Sequence, residues 1–349
     1  MSDRSLDIAV IGAGQMGREH VARLLANPRC RVAAIVDPDA QAAEWARGLQ
    51  IRHHAGVDAM LSQHQPDGAI VATPNDLHVS TAVVLLDAGV PVIVEKPVAE
   101  SVSAGEVLVR KSLETGVPVL VGHHRRHSPA MLAAQACIAQ GTLGPIVAVN
   151  ATTLFYKPKA YFDVAWRRGP AGGPILINLV HDIDSLRALA GEIAAVQAVA
   201  SNHTRGFQAE DTAGVLLEFS SGALGTLLLS DTTVAARSWE HTTGENPAYP
   251  CDPAQDCIFI AGTRGSLAVP TLRLWRQEGE ASWTLPFLSE TMELKEADPL
   301  ARQLDHFCDV VEQGVAPLVS AADAVRTLAV TLAVREAART RTRIEVPPS

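Results

Sequence analysis

No apolar run in this chain approaches the ~18–20 residues that a bilayer-spanning helix needs, so a membrane partner is not expected. The five cysteines, Cys30, Cys137, Cys251, Cys257 and Cys308, are odd in number and scattered. They lack the paired spacing of a zinc site, and free thiols are expected rather than a disulfide framework. A Cys251–Cys257 bridge across a loop is the alternative. A basic excess is also missing. Lys and Arg number 29 against 38 Asp and Glu, a formal net charge of −9, which argues against nucleic acid or an anionic membrane surface as partner. Neither internal repeats nor low-complexity segments occur. Met1-Ser2-Asp3-Arg4-Ser5 run straight into an apolar strand, leaving no room for a signal peptide. These absences point to a cytoplasmic protein.

What is present is apolar and long. With 349 residues, 47% of them hydrophobic, the chain can build two domains with separate cores. Short apolar runs at 8–11, 32–36, 68–72, 92–94 and 117–121 alternate with segments of helical spacing, such as 80–88 and 104–115. That order predicts a doubly wound parallel sheet of the Rossmann kind. Beyond about residue 125 a helix over 130–140 leads into longer alternating runs at 146–154, 195–202, 212–219, 223–231 and 257–261. Gly-containing turns between them favour hairpins. One helix over 174–189 interrupts them, 238–255 reads as a long loop, and a helix over 321–340 carries a core stripe. The reading is α/β overall: a dinucleotide-binding domain over 1–124, then an α+β domain over 125–349 with a large, mostly antiparallel sheet.

The most specific local feature is Gly12-Ala13-Gly14-Gln15-Met16-Gly17, directly after the first apolar run and directly before a helical pattern. Gly12 permits a tight turn, Gly14 lets a pyrophosphate approach the backbone, and Gly17 lets helix and strand pack closely. The helix N-terminus then offers free N–H groups to the phosphates. Asp37 ends the second run about 20 residues further on, where an acid receives ribose hydroxyls. A carboxylate there repels a 2′-phosphate and no basic residue immediately follows, so NAD is favoured over NADP.

Several further motifs carry a resemblance. The glycine loop, the run Val71-Ala72-Thr73-Pro74-Asn75 with His78 after it, and Glu95-Lys96-Pro97 occur in the order of the glucose–fructose oxidoreductase / inositol dehydrogenase / MocA family. So do the segment from Gly122 to Pro129, and Trp166-Arg167 followed by a glycine pair and a helix holding His181 and Asp184. The chain resembles that family over essentially its whole length. The resemblance implies a dehydrogenase or reductase of sugars, cyclic polyols and related small molecules. It implies cofactor contacts from Gly12, Gly14, Gln15, Met16, Gly17, Asp37, Thr73, Pro74, Asn75, His78, Glu95 and Lys96, and a cis bond at Pro97. It also implies Lys96 and His181 as the catalytic pair.

Lys96 emerges at a strand's carboxyl end, where partial burial lowers a lysine's pKa and lets it exchange a proton. His181 lies opposite the apolar stripe of its helix, with Asn178 and Ser185, facing either solvent or a cleft. Relatives of the inositol dehydrogenase type carry an aspartate four residues before this histidine; here that position is Ile177. Arg125, Trp166, Arg167, Asn178 and Asp184 are the expected substrate contacts. The two guanidinium groups suit a carboxylate or a row of hydroxyls, or else pair with nearby acids. The histidines at 123, 124 and 127 lack carboxylate or cysteine partners, so no metal is expected. The expected reaction moves a hydride between nicotinamide and a CH–OH or C=O carbon of a sugar, polyol or hydroxylated acid. A dihydrodiol, semialdehyde or imine substrate is the alternative, as is a dinucleotide sensor without turnover. Apolar residues on both faces of the run with Leu224, Leu227, Leu228 and Leu229 predict a homodimer or homotetramer through the second domain's sheet.

Overall fold

A computed structural model describes residues 5–295 and 297–347. Residues 1–4, on which the signal-peptide expectation rests, lie outside that range. The contacts group the chain into two units: one runs to His127 and takes in Pro299–Leu328, and the other holds Ser128–Asp298 and the chain from Ala329 onward. The expected cut at 124/125 did not foresee that residues 299–328 group with the first unit. The division falls inside the helix Ala321–Thr340.

In the first unit, among the described residues, six strands form a parallel sheet in the order β3-β2-β1-β4-β5-β6. They are β1 (Leu6–Ile11), β2 (Cys30–Val36), β3 (His53–His54), β4 (Gly68–Val71), β5 (Val92–Val94) and β6 (Val119–Val121). Every residue of β1, β4, β5 and β6 is buried. That is why these strands read as continuous apolar runs rather than alternations. Helices α1 (Gln15–Ala26), α2 (Ala40–Gly48), α3 (Val57–Leu61), α4 (His78–Asp87) and α5 (Val102–Thr115) connect them. Asp39 caps α2 through Gln41 N at 2.8 Å, and Ser101 caps α5 through Ala104 N at 3.2 Å. Each cap satisfies a donor that the helix leaves open. Phe307, from the helix Pro299–Gln313, is wholly buried among Ile8, Ile70 and Leu120 of this sheet. The strand order reverses between β1 and β4, where ligands enter such sheets.

The second unit holds, among the described residues, nine strands in the order β14-β13-β12-β11-β7-β10-β9-β8-β15. They are β7 (Ile146–Leu154), β8 (Ile193–Ser201), β9 (Thr212–Phe219), β10 (Leu224–Ser230), β11 (Ile258–Gly262), β12 (Gly265–Val269), β13 (Arg273–Arg276), β14 (Leu288–Thr291) and β15 (Ile344–Glu345). All neighbours run antiparallel except β10 beside β7. Alternation sends Leu227 and Leu229 into the core and leaves Leu224 and Leu228 about half exposed. The core face packs on α6 (Pro129–Ala139) and α8 (Leu179–Ala190). The single helix expected over 174–189 is broken at Asn178 into α7 (Pro174–Ile177) and α8. The expected loop over 238–255 contains a short helix, α9 (Trp239–Thr242), capped by Ser238.

Candidate active site

The first unit gathers its expected residues at the carboxyl ends of β1, β2, β4 and β5. Gly12 sits at φ +97°, and a Cβ there would meet Ala72 O at 2.5 Å. Gly17 is tighter, since a Cβ would lie 1.9 Å from Gly12 O. Gly14 has nothing within 4 Å. Two glycines are thus required by packing, while the third keeps open the space a pyrophosphate would take. α1 starts at Gln15 with no side-chain cap and no acid in its first turn. The N–H groups of Gln15, Met16 and Gly17 therefore stand where an anion is favoured.

Asp37 follows β2, with Oδ2 accepting from Ala13 N at 2.7 Å and Oδ1 from Asp39 N at 2.8 Å. Both bonds orient the carboxylate, and each oxygen keeps a lone pair for a ribose hydroxyl. Thr73, Pro74 and Asn75 follow β4, and the buried Thr73 Oγ1 has no hydrogen-bond partner. This set of open glycine, unhindered helix end, acid and orphaned hydroxyl fits a nicotinamide dinucleotide.

Two residues expected at the cofactor prove to be interior fittings. His78 is buried, and its ring nitrogens lie 2.9 Å from the carbonyls of Pro97 and Thr73. It ties the β4 loop to the β5 loop. Glu95 is also buried, with Oε1 2.7 Å from His20 Nε2 on α1. Burial pushes the Glu95 carboxyl up, but the His20 bond and the charges of His20, Lys96 and His124 outweigh it and bring it down to about 2. Gly122 makes room for this carboxylate, because a Cβ there would lie 2.9 Å from Oε1. The Lys96–Pro97 bond is cis, as the resemblance implied, and Lys96 is partly exposed.

Among the described residues, no three His, Cys, Asp or Glu side chains are grouped as metal ligands would be. Burial, with the charges of His306 and His124, drives His127 down to about 3, and its ring is tilted against that of His306 with the centroids 5.4 Å apart. Arg126 pairs with Asp323 at 2.9 Å. Arg125 is buried, 2% exposed.

In the second unit α8 is buried on every side, which rules out the solvent-facing alternative for His181, now 8% exposed. Its N–H donates to Asn178 O at 3.0 Å, so the helix break at Asn178 sets the start of this turn. Asp184, on the same helix, is 1% exposed. Trp166 and Arg167 lie in a 3-10 turn at Ala165–Arg168, with Trp166 more than half exposed. The Arg167 guanidinium lies over the Tyr161 ring at 4.0 Å and gives Nη1 to Tyr161 O at 2.8 Å. Gly172 is needed because a Cβ would lie 2.4 Å from the Arg167 backbone.

Sequence reasoning missed Lys157. It is 4% exposed, and its Nζ donates to Asn178 Oδ1 at 2.7 Å. Only its place nine residues before Trp166 hinted at it.

Residues 6–123 match the family model described as an oxidoreductase family with an NAD-binding Rossmann fold, GFO_IDH_MocA. Residues 131–268 match the GFO/IDH/MocA C-terminal domain. A 1,5-anhydro-D-fructose reductase of Ensifer adhaerens is 27% identical, over 97% of this chain and 97% of its own. A scyllo-inositol 2-dehydrogenase (NAD+) of Bacillus subtilis is 28% identical, over 93% and 92%. An Agrobacterium radiobacter oxidoreductase, solved with NAD+, L-tartaric acid and magnesium, shares the fold at a TM-score of 0.82. It is 20% identical, over 98% of this chain and 99% of its own.

Proposed function

The chain belongs to the GFO/IDH/MocA oxidoreductase family, and from that premise we propose an NAD-dependent oxidoreductase acting on the CH–OH or C=O carbon of a sugar, cyclic polyol or related hydroxylated acid. One observation carries this reading: the first unit joins an open Gly14, an oriented Asp37 and the Glu95-Lys96-cis-Pro97 turn at one end of one sheet. The two curated relatives named above act on an anhydro sugar and on an inositol, which supports this substrate class.

Gly12, Gly14, Gln15, Met16 and Gly17 hold the pyrophosphate, Asp37 the adenosine ribose, and Thr73, Pro74 and Asn75 line the crevice. His78 and Glu95 hold the loops around it. NAD, when bound, supplies the hydride acceptor or, reduced, the donor. Lys96 hydrogen-bonds and polarises the substrate oxygen, and His181 gives or takes the proton there. Asn178, Trp166 and Arg167 orient the substrate, while Arg125 and Asp184 support the site from the interior.

The molecule self-associates through the open face of the second unit's sheet, where Leu224, Leu228, Val199, Leu216 and Phe259 are all exposed. A cytoplasmic location suits its use of a nicotinamide pool and its five free cysteines.

A panel of inositols, aldoses, aldonates and anhydro sugars, offered with NAD or NADH and followed by nicotinamide absorbance, tests the reading. Turnover with at least one polyhydroxylated member is expected. NAD binding with no turnover across the whole panel would support a sensor instead.

A further inference from the structure

The neighbourhood of Lys157 has a donor–acceptor balance that bears on the substrate. A lysine offers only donors, so the Asn178 amide must turn its oxygen towards Nζ and its NH2 away. Among the described residues that Nδ2 has no protein partner. Lys157 Nζ also lies 5.1 Å from the centre of the Tyr161 ring, the ring over which Arg167 is placed. Arg167 in turn keeps a buried Nε without a partner.

The carboxylates nearby each carry a bond or an ion pair of their own. Asp231 Oδ1 takes Arg205 Nε at 2.8 Å, and its Oδ2 lies 3.6 Å from Lys157 Nζ. Asp182 Oδ2 takes Thr153 Oγ1 at 2.7 Å, and Glu210 Oε1 takes Ile175 N at 2.9 Å. Ile177, next to Asn178 in the chain, adds no acceptor side chain. Asn178 Nδ2 and Arg167 Nε are thus open donors in the neighbourhood of the Lys157 cation. A neutral polyol needs acceptors for its hydroxyl protons as well as donors for its oxygens. A carboxylate needs donors alone, and charge-assisted bonds to it are about twice as strong as neutral ones.

We propose that Asn178 Nδ2 and Arg167, backed by the buried cation of Lys157, form a carboxylate subsite, so that the substrate is a hydroxylated acid rather than a neutral polyol. The inference rests on the oxidoreductase reading only for what happens after binding. Lys157 is a positioning residue here: it fixes the amide and adds positive charge without reaching the ligand. Burial pulls Lys157 down to about 8, opposed by Asp231 and Glu240 and assisted by Arg205. A bound anion would favour its charged form.

The test uses the NAD-loaded protein and three matched pairs, D-gluconate with D-glucitol, L-threonate with L-threitol, and D-glycerate with glycerol. Calorimetry reads binding and nicotinamide absorbance reads turnover. At least one acid should bind about tenfold or more tightly than its neutral partner, as one charge-assisted bond allows. Arg167→Met and Asn178→Leu should abolish that advantage. Lys157→Met should reduce it, and Lys157→Arg, which keeps a cation and a donor to Asn178, should restore most of it. If no acid outbinds its partner, or the advantage survives both Arg167→Met and Asn178→Leu, the subsite is overturned. Acid binding without turnover of any compound would leave the subsite standing and contradict the oxidoreductase reading. Turnover of neutral members without acid preference would do the reverse.

Discussion

His20 Nε2 and Glu95 Oε1 lie 2.7 Å apart, both side chains shut away from solvent. This contact joins α1, the helix behind the glycine loop, to the residue just before Lys96. The glycine loop and Lys96 are therefore tied through one buried pair, and disturbing it should be felt at both.

His20→Leu removes one partner and leaves the Glu95 carboxylate buried. Breaking such a pair costs about 3–5 kcal/mol, so urea unfolding should show a loss of that order. The pH dependence has a definite sign. The folded Glu95 carboxyl lies at about 2 against 4.5 for the free group. Its stabilisation is thus complete above about pH 4.5 and lost as the pH falls towards 2. In His20→Leu that part of the acid limb should flatten; an unchanged limb would show that the pair does not hold Glu95 ionised.

Gly14→Ala and Gly17→Ala should behave differently although both sit in one loop. A Cβ at 14 meets nothing within 4 Å, while one at 17 strikes Gly12 O. Gly14→Ala should keep its melting temperature and bind NADH at least about tenfold more weakly, by crowding the pyrophosphate. Gly17→Ala should lose both stability and binding. Equal melting losses in the two variants would contradict this division of roles.

Asp37→Ser combined with Pro38→Arg removes the carboxylate and adds a phosphate partner. The ratio of NAD to NADP affinity, from fluorescence titration, should fall by about tenfold or more. A wild type that already prefers NADP would contradict the role given to Asp37.

How much of this was legible in the sequence depended on how local each feature is. The 12–17 loop, Asp37 and the Glu95-Lys96-Pro97 turn each depend on a few adjacent residues at a strand end, and their spacing carried the information. Lys157 did not show itself, because its role comes from folding back on Asn178, 21 residues on, and on Asp231. His78 and Glu95 lie in recognisable motifs, yet their side chains turn inward to Pro97, Thr73 and His20. A motif marks the position and not the direction a side chain takes. The stripe of Leu176, Leu179, Val180 and Ile183 reads as one helix because apolar spacing continues through the break at Asn178. The strands β13, β14 and β15, of two to four residues, are too short for a period to emerge.

Leu224→Lys with Leu228→Glu should produce monomers by light scattering while far-UV circular dichroism stays unchanged. The exposed leucines give a contiguous apolar face, whereas the inward Leu227 and Leu229 are untouched. A monomeric wild type, or an unchanged mass in the variant, would refute association through this face.

The most direct measurement compares turnover with cofactor affinity in Lys96→Met and His181→Ala, on any panel substrate that the wild type accepts. Both residues are assigned to the substrate oxygen, and the glycine loop and Asp37 to the cofactor. Turnover should fall ~10²–10⁴-fold in each variant, the usual loss when a general acid or base is removed. NADH affinity from fluorescence titration should stay within about threefold, well under the tenfold that 1.4 kcal/mol represents. Near-wild-type turnover in either variant would contradict the catalytic assignment of that residue, and in both it would contradict the account of the active site.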